Sequence, residues 1–389
     1  LALGLRKPTL AVYDHAFHFI GGAQKYGLTM AAALRDMFDL TILANRDVGP
    51  EEFRRWYGLD LSGCPVKVVP IPFYDERNLI HLDPALVGRA DENPFHRLSR
   101  ESGGYDVFVN NSMNEMVFPL APVSVFICHF PERRPRTYFY ADRYTRVVCN
   151  SRYTAAWIEK KWGFSPHRLL YPPVDMEAEG DAGPKKKLIL SASRFEPEGF
   201  KRQREMITVF LKLLRERPEA ADGWTFVLAG GSGPGNAYLD GLRELAAGAA
   251  GRIELRVNVT AAELKSLYRD AALFWHMCGL NGEDPGQTEH FGMTTVEAMQ
   301  NAVVPLVFAG GGLPEIVDDG INGFLAGSTA RLLERTLFLL RDPGKREALG
   351  RAAREKARRF SRPRFEAETR MIFEDVLALL AGSGDPAAE

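Results

Sequence analysis

Short apolar runs bounded by turn residues recur through the first part of the chain, at residues 9–14, 40–43, 66–71, 107–109, 123–128 and 147–149. Runs this short and this continuously apolar predict strands buried on both faces, as in parallel sheets covered by helices. The first strand pattern leads through Phe19-Ile20-Gly21-Gly22-Ala23 into a helical pattern that reaches Leu34. Strand, glycine turn and helix make an α/β opening. Asn150-Ser151 predicts a capped helix running to Trp162, whereas the polar stretch 75–102 predicts irregular or partly helical chain. The chain then leaves through Tyr171-Pro172-Pro173-Val174-Asp175, and residues 176–187 are polar and punctuated by Gly and Pro. That composition predicts an interdomain linker, with Lys185-Lys186-Lys187 a solvated lead-in to the next strand.

The α/β pattern restarts beyond it. Strand patterns lie at 188–193, 224–229, 253–257, 272–275, 303–308 and 324–325, with helical patterns near 202–215 and 261–270. From Leu332 the chain reads as helical and basic, and after Pro363 a last amphipathic helix extends to about Leu380. The 389 residues suit roughly two or three domains. A net charge of −1 argues against a dedicated nucleic-acid binder. Cys64, Cys128, Cys149 and Cys278 show no zinc spacing, so reduced thiols in a cytoplasmic protein are the expectation. No apolar run reaches the roughly 18 residues of a membrane span. The cations Arg351, Arg354, Lys356, Arg358 and Arg359 read first as a solvated face, and second as peripheral contact with the inner membrane face. The first residue is Leu1, which leaves further domains of a longer chain among the expectations.

Candidate chemistry concentrates at 289–299. Glu289 and Glu297 lie eight positions apart, astride Gly292 and a predicted helix start. Thr294 or Thr295 is the expected cap, with Glu297 in the first turn. The N–H groups of Phe291, Gly292 and Met293 would then form an anion site. Two solvated surface glutamates, or the acid and nucleophile of a glycoside hydrolase, fit the same spacing. Arg194 and Lys201 flank Gly199 in a loop after a strand, a grip suited to phosphate or simply two surface cations. His129 ends a buried strand, at the edge where open α/β sheets bind ligands. His15 and His18 fit either ligand contact or loop packing. Gly230-Gly231-Ser232-Gly233-Pro234-Gly235 fails the dinucleotide register, and Pro234 lacks an N–H.

These residues together resemble the retaining glycosyltransferases of family 4. The resemblance rests on Gly21-Gly22-Ala23, Asn150-Ser151-Arg152-Tyr153-Thr154, Tyr171-Pro172-Pro173-Val174-Asp175, the loop from Arg194 to Lys201, and the E-x7-E segment from Glu289 to Glu297. Gly311-Gly312-Leu313-Pro314-Glu315-Ile316-Val317 and Asn322-Gly323-Phe324-Leu325 complete it. It implies the GT-B fold: two Rossmann-like α/β domains facing a central cleft, residues 1–174 on the acceptor side and 175–361 holding the nucleotide sugar. Residues 362–389 would return to complete the first domain. It also implies transfer of a hexose from a UDP- or GDP-linked donor to a hydroxyl of a glycan or lipid-linked acceptor, in polysaccharide or glycoconjugate synthesis. No metal and no cofactor besides the donor is implied. Arg194 and Lys201 would hold the diphosphate, Glu297 the ribose, and Glu289 with the backbone of His290, Phe291, Gly292, Met293 and Thr294 the donor sugar. Gly21 and Gly22 would approach the phosphate, and His129 the reacting centre. The loop from Arg194 is slightly longer than the family's, so Arg202 shares the lysine's role with Lys201 as a candidate. A non-catalytic sugar-nucleotide-binding module of a larger protein fits the same motifs.

Overall fold

The structure, a computed structural model, describes residues 6–70, 95–133, 138–177, 184–282 and 284–383. Val174–Ser361 form one compact unit, and the residues up to Pro173 together with those from Arg362 onward form the other.

The N-terminal unit carries strands β1 (Thr9–Asp14), β2 (Asp39–Ala44), β3 (Val66–Val68), β4 (Val107–Asn110), β5 (Val123–Cys128), β6 (Arg146–Cys149) and β7 (Arg168–Leu169). They form one parallel sheet in the order β3-β2-β1-β4-β5-β6-β7. Every residue of β4 and β5 is buried, because helices cover both faces of the sheet. The order reverses direction between β1 and β4, and open α/β sheets hold ligands outside the carboxyl ends of the strands at such a switch. The helix Arg362–Ser383 belongs to this unit, burying Phe365, Ile372, Phe373 and Val376 beside Leu28, Leu34 and Phe38. Each such side chain contributes about 1.5–3 kcal/mol on leaving water.

The C-terminal unit has β8 (Leu188–Ala192), β9 (Thr225–Gly230), β10 (Ile253–Val257), β11 (Leu273–His276), β12 (Val304–Phe308) and β13 (Phe324–Ala326). They too form a parallel sheet, ordered β10-β9-β8-β11-β12-β13, with the reversal between β8 and β11. Phe210, Phe226 and Trp275 pack together in its core through tilted and edge-on ring contacts.

The Ser151 hydroxyl caps the helix Arg152–Trp162 by accepting the Thr154 N–H at 3.0 Å, as expected. Lys185, however, is not solvated: its ammonium donates to the carbonyls of Arg269 at 2.7 Å and Asn301 at 2.5 Å, tying a helix end to the start of β8. Of the stretch 75–102, residues 75–94 lie outside the described residues, and His96–Ser102 is helical. Of the expected linker, 178–183 lie outside them; Met176 is pinned to the unit by the Gln300 side chain, 2.8 Å away. The basic run forms two helices, Thr329–Arg341 and Pro343–Ala357, because Asp342 starts the second by accepting the Lys345 N–H. Arg351, Arg354, Lys356 and Arg358 each pair with a carboxylate of their own unit, which leaves the run little uncompensated charge for a lipid surface. No described helix is long and apolar enough to cross a membrane.

Candidate functional site

Strand β11 delivers His276 to the switch point of the C-terminal sheet, and the loop that follows returns through Glu289 to the helix Met293–Gln300. Glu289 is not a solvated surface residue. Its Oε2 accepts hydrogen bonds from Lys201 Nζ and from His276 Nε2, each at 3.0 Å. Among the described residues, its Oε1 makes no hydrogen bond. Burial alone would push the Glu289 carboxyl up, but the Lys201 ammonium and the His276 bond overcome it and hold the group well below the usual carboxylate range. Lys201 shows the converse: burial works against its charge, and the Glu289 carboxylate outweighs it, raising the ammonium. Cys278 lies 3.8 Å from Lys201 Nζ, and burial pushes its thiol up to about 12.

Glycine sets the path of this segment. Gly312 donates its N–H to Glu289 O at 2.8 Å, and a Cβ there would stand 2.3 Å from His290 O. Only glycine lets the turn after β12 lie so closely against the main chain of residues 289–291. The helix itself starts differently from the expectation. Gly292, at φ 110°, occupies the N-cap position, and no side chain caps the helix; Thr294 and Thr295 fall inside it. A left-handed glycine turns the chain two or three residues before a threonine cap would. Glu297 consequently sits in the second turn, not the first, and is buried, its Oε2 accepting the Tyr268 hydroxyl at 2.8 Å. Phe291 is core, edge-on to Phe360, and His290 Nε2 donates to Gly286 O at 3.1 Å. Met293 and Thr294 are half-buried.

Arg194 follows β8 at the same switch point, its side chain 76% exposed and paired with Glu196 at 2.8 Å. Lys201 points into the Glu289 cluster, whereas Arg202, left-handed at φ 60°, caps the helix Gln203–Glu216 and approaches Glu205 at 3.4 Å. His276, Cys278 and Glu289 alone would read as a metal set, their ligand atoms all within 4.8 Å of one another. The Lys201 ammonium among them already supplies a positive charge. Ser232 to Gly235, from the stretch discounted as a dinucleotide cradle, line an open cavity of about 380 Å³ with Val257, Asn258 and Arg243 beside β9 and β10.

In the N-terminal unit Gly21 is extended at φ −163°, so the pair of glycines makes no tight turn; its N–H donates to the Tyr57 hydroxyl at 2.8 Å, and Gly22 starts the helix Gly22–Ala33. His129 follows β5 and is buried, with Nε2 3.2 Å from Asn111 Oδ1 and its ring edge-on to Tyr26. Asn111 in turn binds Asp14, at the end of β1. Burial raises the Asp14 carboxyl and lowers His15, and it takes His18 down to about 4. Sequence reasoning missed His276, Cys278, Asn111 and Asp14 as site residues. The signal for them was polar or titratable residues ending otherwise apolar strands, as Asp14 and His276 do, or lying within two residues of the strand end, as Asn111 and Cys278 do.

Two family models match between them residues 20–356. The model described as Glycosyltransferase Family 4 covers 20–178, and Glycosyl transferases group 1 covers 175–356. A D-inositol 3-phosphate glycosyltransferase of Streptomyces avermitilis is 32% identical over 209 residues, 49% of this chain and 43% of that protein. A GDP-Man:Man(3)GlcNAc(2)-PP-Dol alpha-1,2-mannosyltransferase of Dictyostelium discoideum is 26% identical over 221 residues, 53% of this chain and 42% of that protein. The chain thus spans less than half the length of these curated relatives. Anabaena HepE, solved with UDP and glucose, superposes with a TM-score of 0.71 over 94% of this chain and 99% of its own at 17% identity, a likeness of fold. The motifs at Gly21-Gly22, Arg194–Lys201 and Glu289–Glu297, the two parallel sheets and the matching models agree: the chain has the GT-B type of fold and belongs to the family 4 glycosyltransferases.

Proposed function

We infer that this protein transfers a hexose, with retention of anomeric configuration and without a metal ion, from a UDP- or GDP-linked donor to a hydroxyl of a glycan or lipid-linked acceptor. The observation that carries the reading is the division of labour within Glu289. One oxygen is held by Lys201 and His276, while the other makes no hydrogen bond among the described residues. A carboxylate fixed in this way can accept from a sugar hydroxyl without reorganising. Arg194 and Lys201 neutralise the leaving diphosphate, and Arg194 gives up only a weak, exposed ion pair to do so. The uncapped helix start at Gly292 and Met293 adds N–H groups for the same charge. Glu297 takes the ribose, and the cavity beside β9 and β10 has room for a base. Within the N-terminal unit, His129, Gly21 and Gly22 are the residues we assign to sugar and phosphate contact. HepE, solved with UDP-glucose in another crystal, and the GDP-Man-named relative support the two donor classes.

Synthesis of polysaccharide or glycoconjugate is the setting we propose. Because the departing phosphate oxygen can take the acceptor's proton, no side chain need act as base. The hydrolase reading fits less well: a general acid must hold a proton near neutrality, and Glu289 is held ionised.

The test is incubation with UDP- and GDP-hexoses and glycan acceptors, following nucleoside diphosphate release and the new linkage by proton NMR. Transfer of an α-linked donor sugar into an α-linkage, undiminished by EDTA, is expected. Release of free sugar from a glycan without nucleotide, or loss of transfer in EDTA restored by a divalent ion, would overturn the reading.

A further inference from the structure

We propose that Asn111 and Asp14 are positioning residues that hold His129 as one fixed tautomer, protonated on Nε2, at the switch point of the N-terminal sheet. This rests on the proposed role of His129 at the reacting sugar and specifies what that ring offers.

Asp14 ends β1, Asn111 follows β4 and His129 follows β5, so the sheet order itself brings the three together. The amide of Asn111 can sit only one way round. Its Nδ2 donates to Asp14 Oδ2 at 2.6 Å and to the Ala23 carbonyl at 2.9 Å. A flipped amide would set Oδ1 against that carbonyl, which has no proton to give. Oδ1 therefore faces His129 Nε2 at 3.2 Å as an acceptor, and the ring nitrogen is the donor. In the neutral ring Nδ1 then carries the lone pair, an acceptor of hydroxyl protons.

The supports of this relay are built in. Asp14 is 1% exposed, and its Oδ1 accepts the Ala16 N–H at 2.8 Å while Gln24 reaches it from the following helix. The helix Gly22–Ala33 places Gly27 against Asn111: a Cβ there would lie 2.7 Å from Nδ2 and 2.8 Å from Cγ. Glycine is a poor residue inside a helix, and the space it leaves is filled by the Asn111 side chain. Tyr26 packs edge-on against the ring at 5.1 Å, and the Thr154 hydroxyl donates to His129 O at 3.1 Å. Second partners that orient an imidazole set which nitrogen it presents.

The test is ¹⁵N NMR of the histidine side chains in the full chain, with the His129 signals assigned from a His129→Gln variant. The wild type should show the Nε2–H pattern. Asn111→Ala should turn it into a tautomer mixture and lower kcat about tenfold or more, with donor KM within about twofold. Gly27→Ala, which pushes Asn111 aside while adding a good helix former, should disturb the same signals at a near-normal melting temperature; it carries the test if Asn111→Ala does not fold. An Nδ1–H pattern in the wild type, or unchanged His129 signals in the folded variants, would overturn the inference. The tautomer is read without substrate, so a wild type that transfers no sugar would sink the proposed function and leave this result standing.

Discussion

The carboxyl edges of the two sheets solve the same geometric problem with opposite chemistry. At the switch between β8 and β11 the groups are ionic: the Lys201 ammonium, the Glu289 carboxylate and the exposed Arg194 guanidinium. At the switch between β1 and β4 they are an enclosed carboxylate, an amide and an imidazole, joined by single hydrogen bonds. The first edge carries charge that a diphosphate can exploit. The second carries direction, fixing donors and acceptors where a neutral sugar would have to be read. The proposed function gives the two edges different tasks, binding of an anionic donor and orientation of a reacting sugar.

The sharpest way to break the comparison is Glu289→Ala. Turnover should fall about 10²–10³-fold, as when a preorganised polar group is lost from a site. Lys201 would be left as an enclosed, uncompensated charge, so stability should fall by about 3–5 kcal/mol in denaturant titration. Adding Lys201→Met to that variant should return most of the stability and none of the transfer. If the single variant turned over normally, Glu289 would be a structural partner of Lys201 and no more.

Lys201→Met alone tests the electrostatics. In the wild type the Glu289 carboxyl is depressed, so its contribution is fully present above the ordinary carboxylate range and is lost only as pH falls through its lower folded value. Removing Lys201 takes away the largest influence that opposes burial, so the group rises. The acid limb of the kcat/KM profile should move to higher pH, and an unmoved limb would show that the lysine does not set it.

The smallest effect belongs to Arg194→Ala. Its pair with Glu196 is exposed and contributes little to folding. The melting temperature should stay put while donor KM rises about tenfold, the scale of one charge-assisted hydrogen bond. A lowered melting temperature with unchanged KM would make Arg194 a surface residue of the fold instead.

Most of the strand pattern was legible because buried parallel strands are continuous apolar runs: β1 and β5 occupy the residues expected of them. The sites were legible only in part. Glu289, Glu297, Arg194 and His129 were marked by residue type and by their place at strand or helix ends. Their pairings were not, because the contacts that matter join residues far apart in sequence. Lys201 meets Glu289 across 88 positions, and Asn111 meets Asp14 across 97. Periodicity carries no information on such pairs. The cap was misread for a local reason: Thr294 and Thr295 are good capping residues, but Gly292 in the left-handed region ends the loop first. Lys185 was misread because a run of three lysines looks solvated until helix carbonyls are seen around one of them.

The central claim is that the charged edge of the C-terminal sheet binds a nucleotide-diphosphate sugar. Thermal unfolding against increasing UDP-, GDP-, ADP- and dTDP-sugars tests it most directly, since a ligand that binds only the folded chain raises stability with its concentration. A UDP- or GDP-sugar should raise the melting temperature of the wild type progressively and have a much weaker effect on Arg194→Ala. No shift with any of the four, or equal shifts in both proteins, would contradict the account.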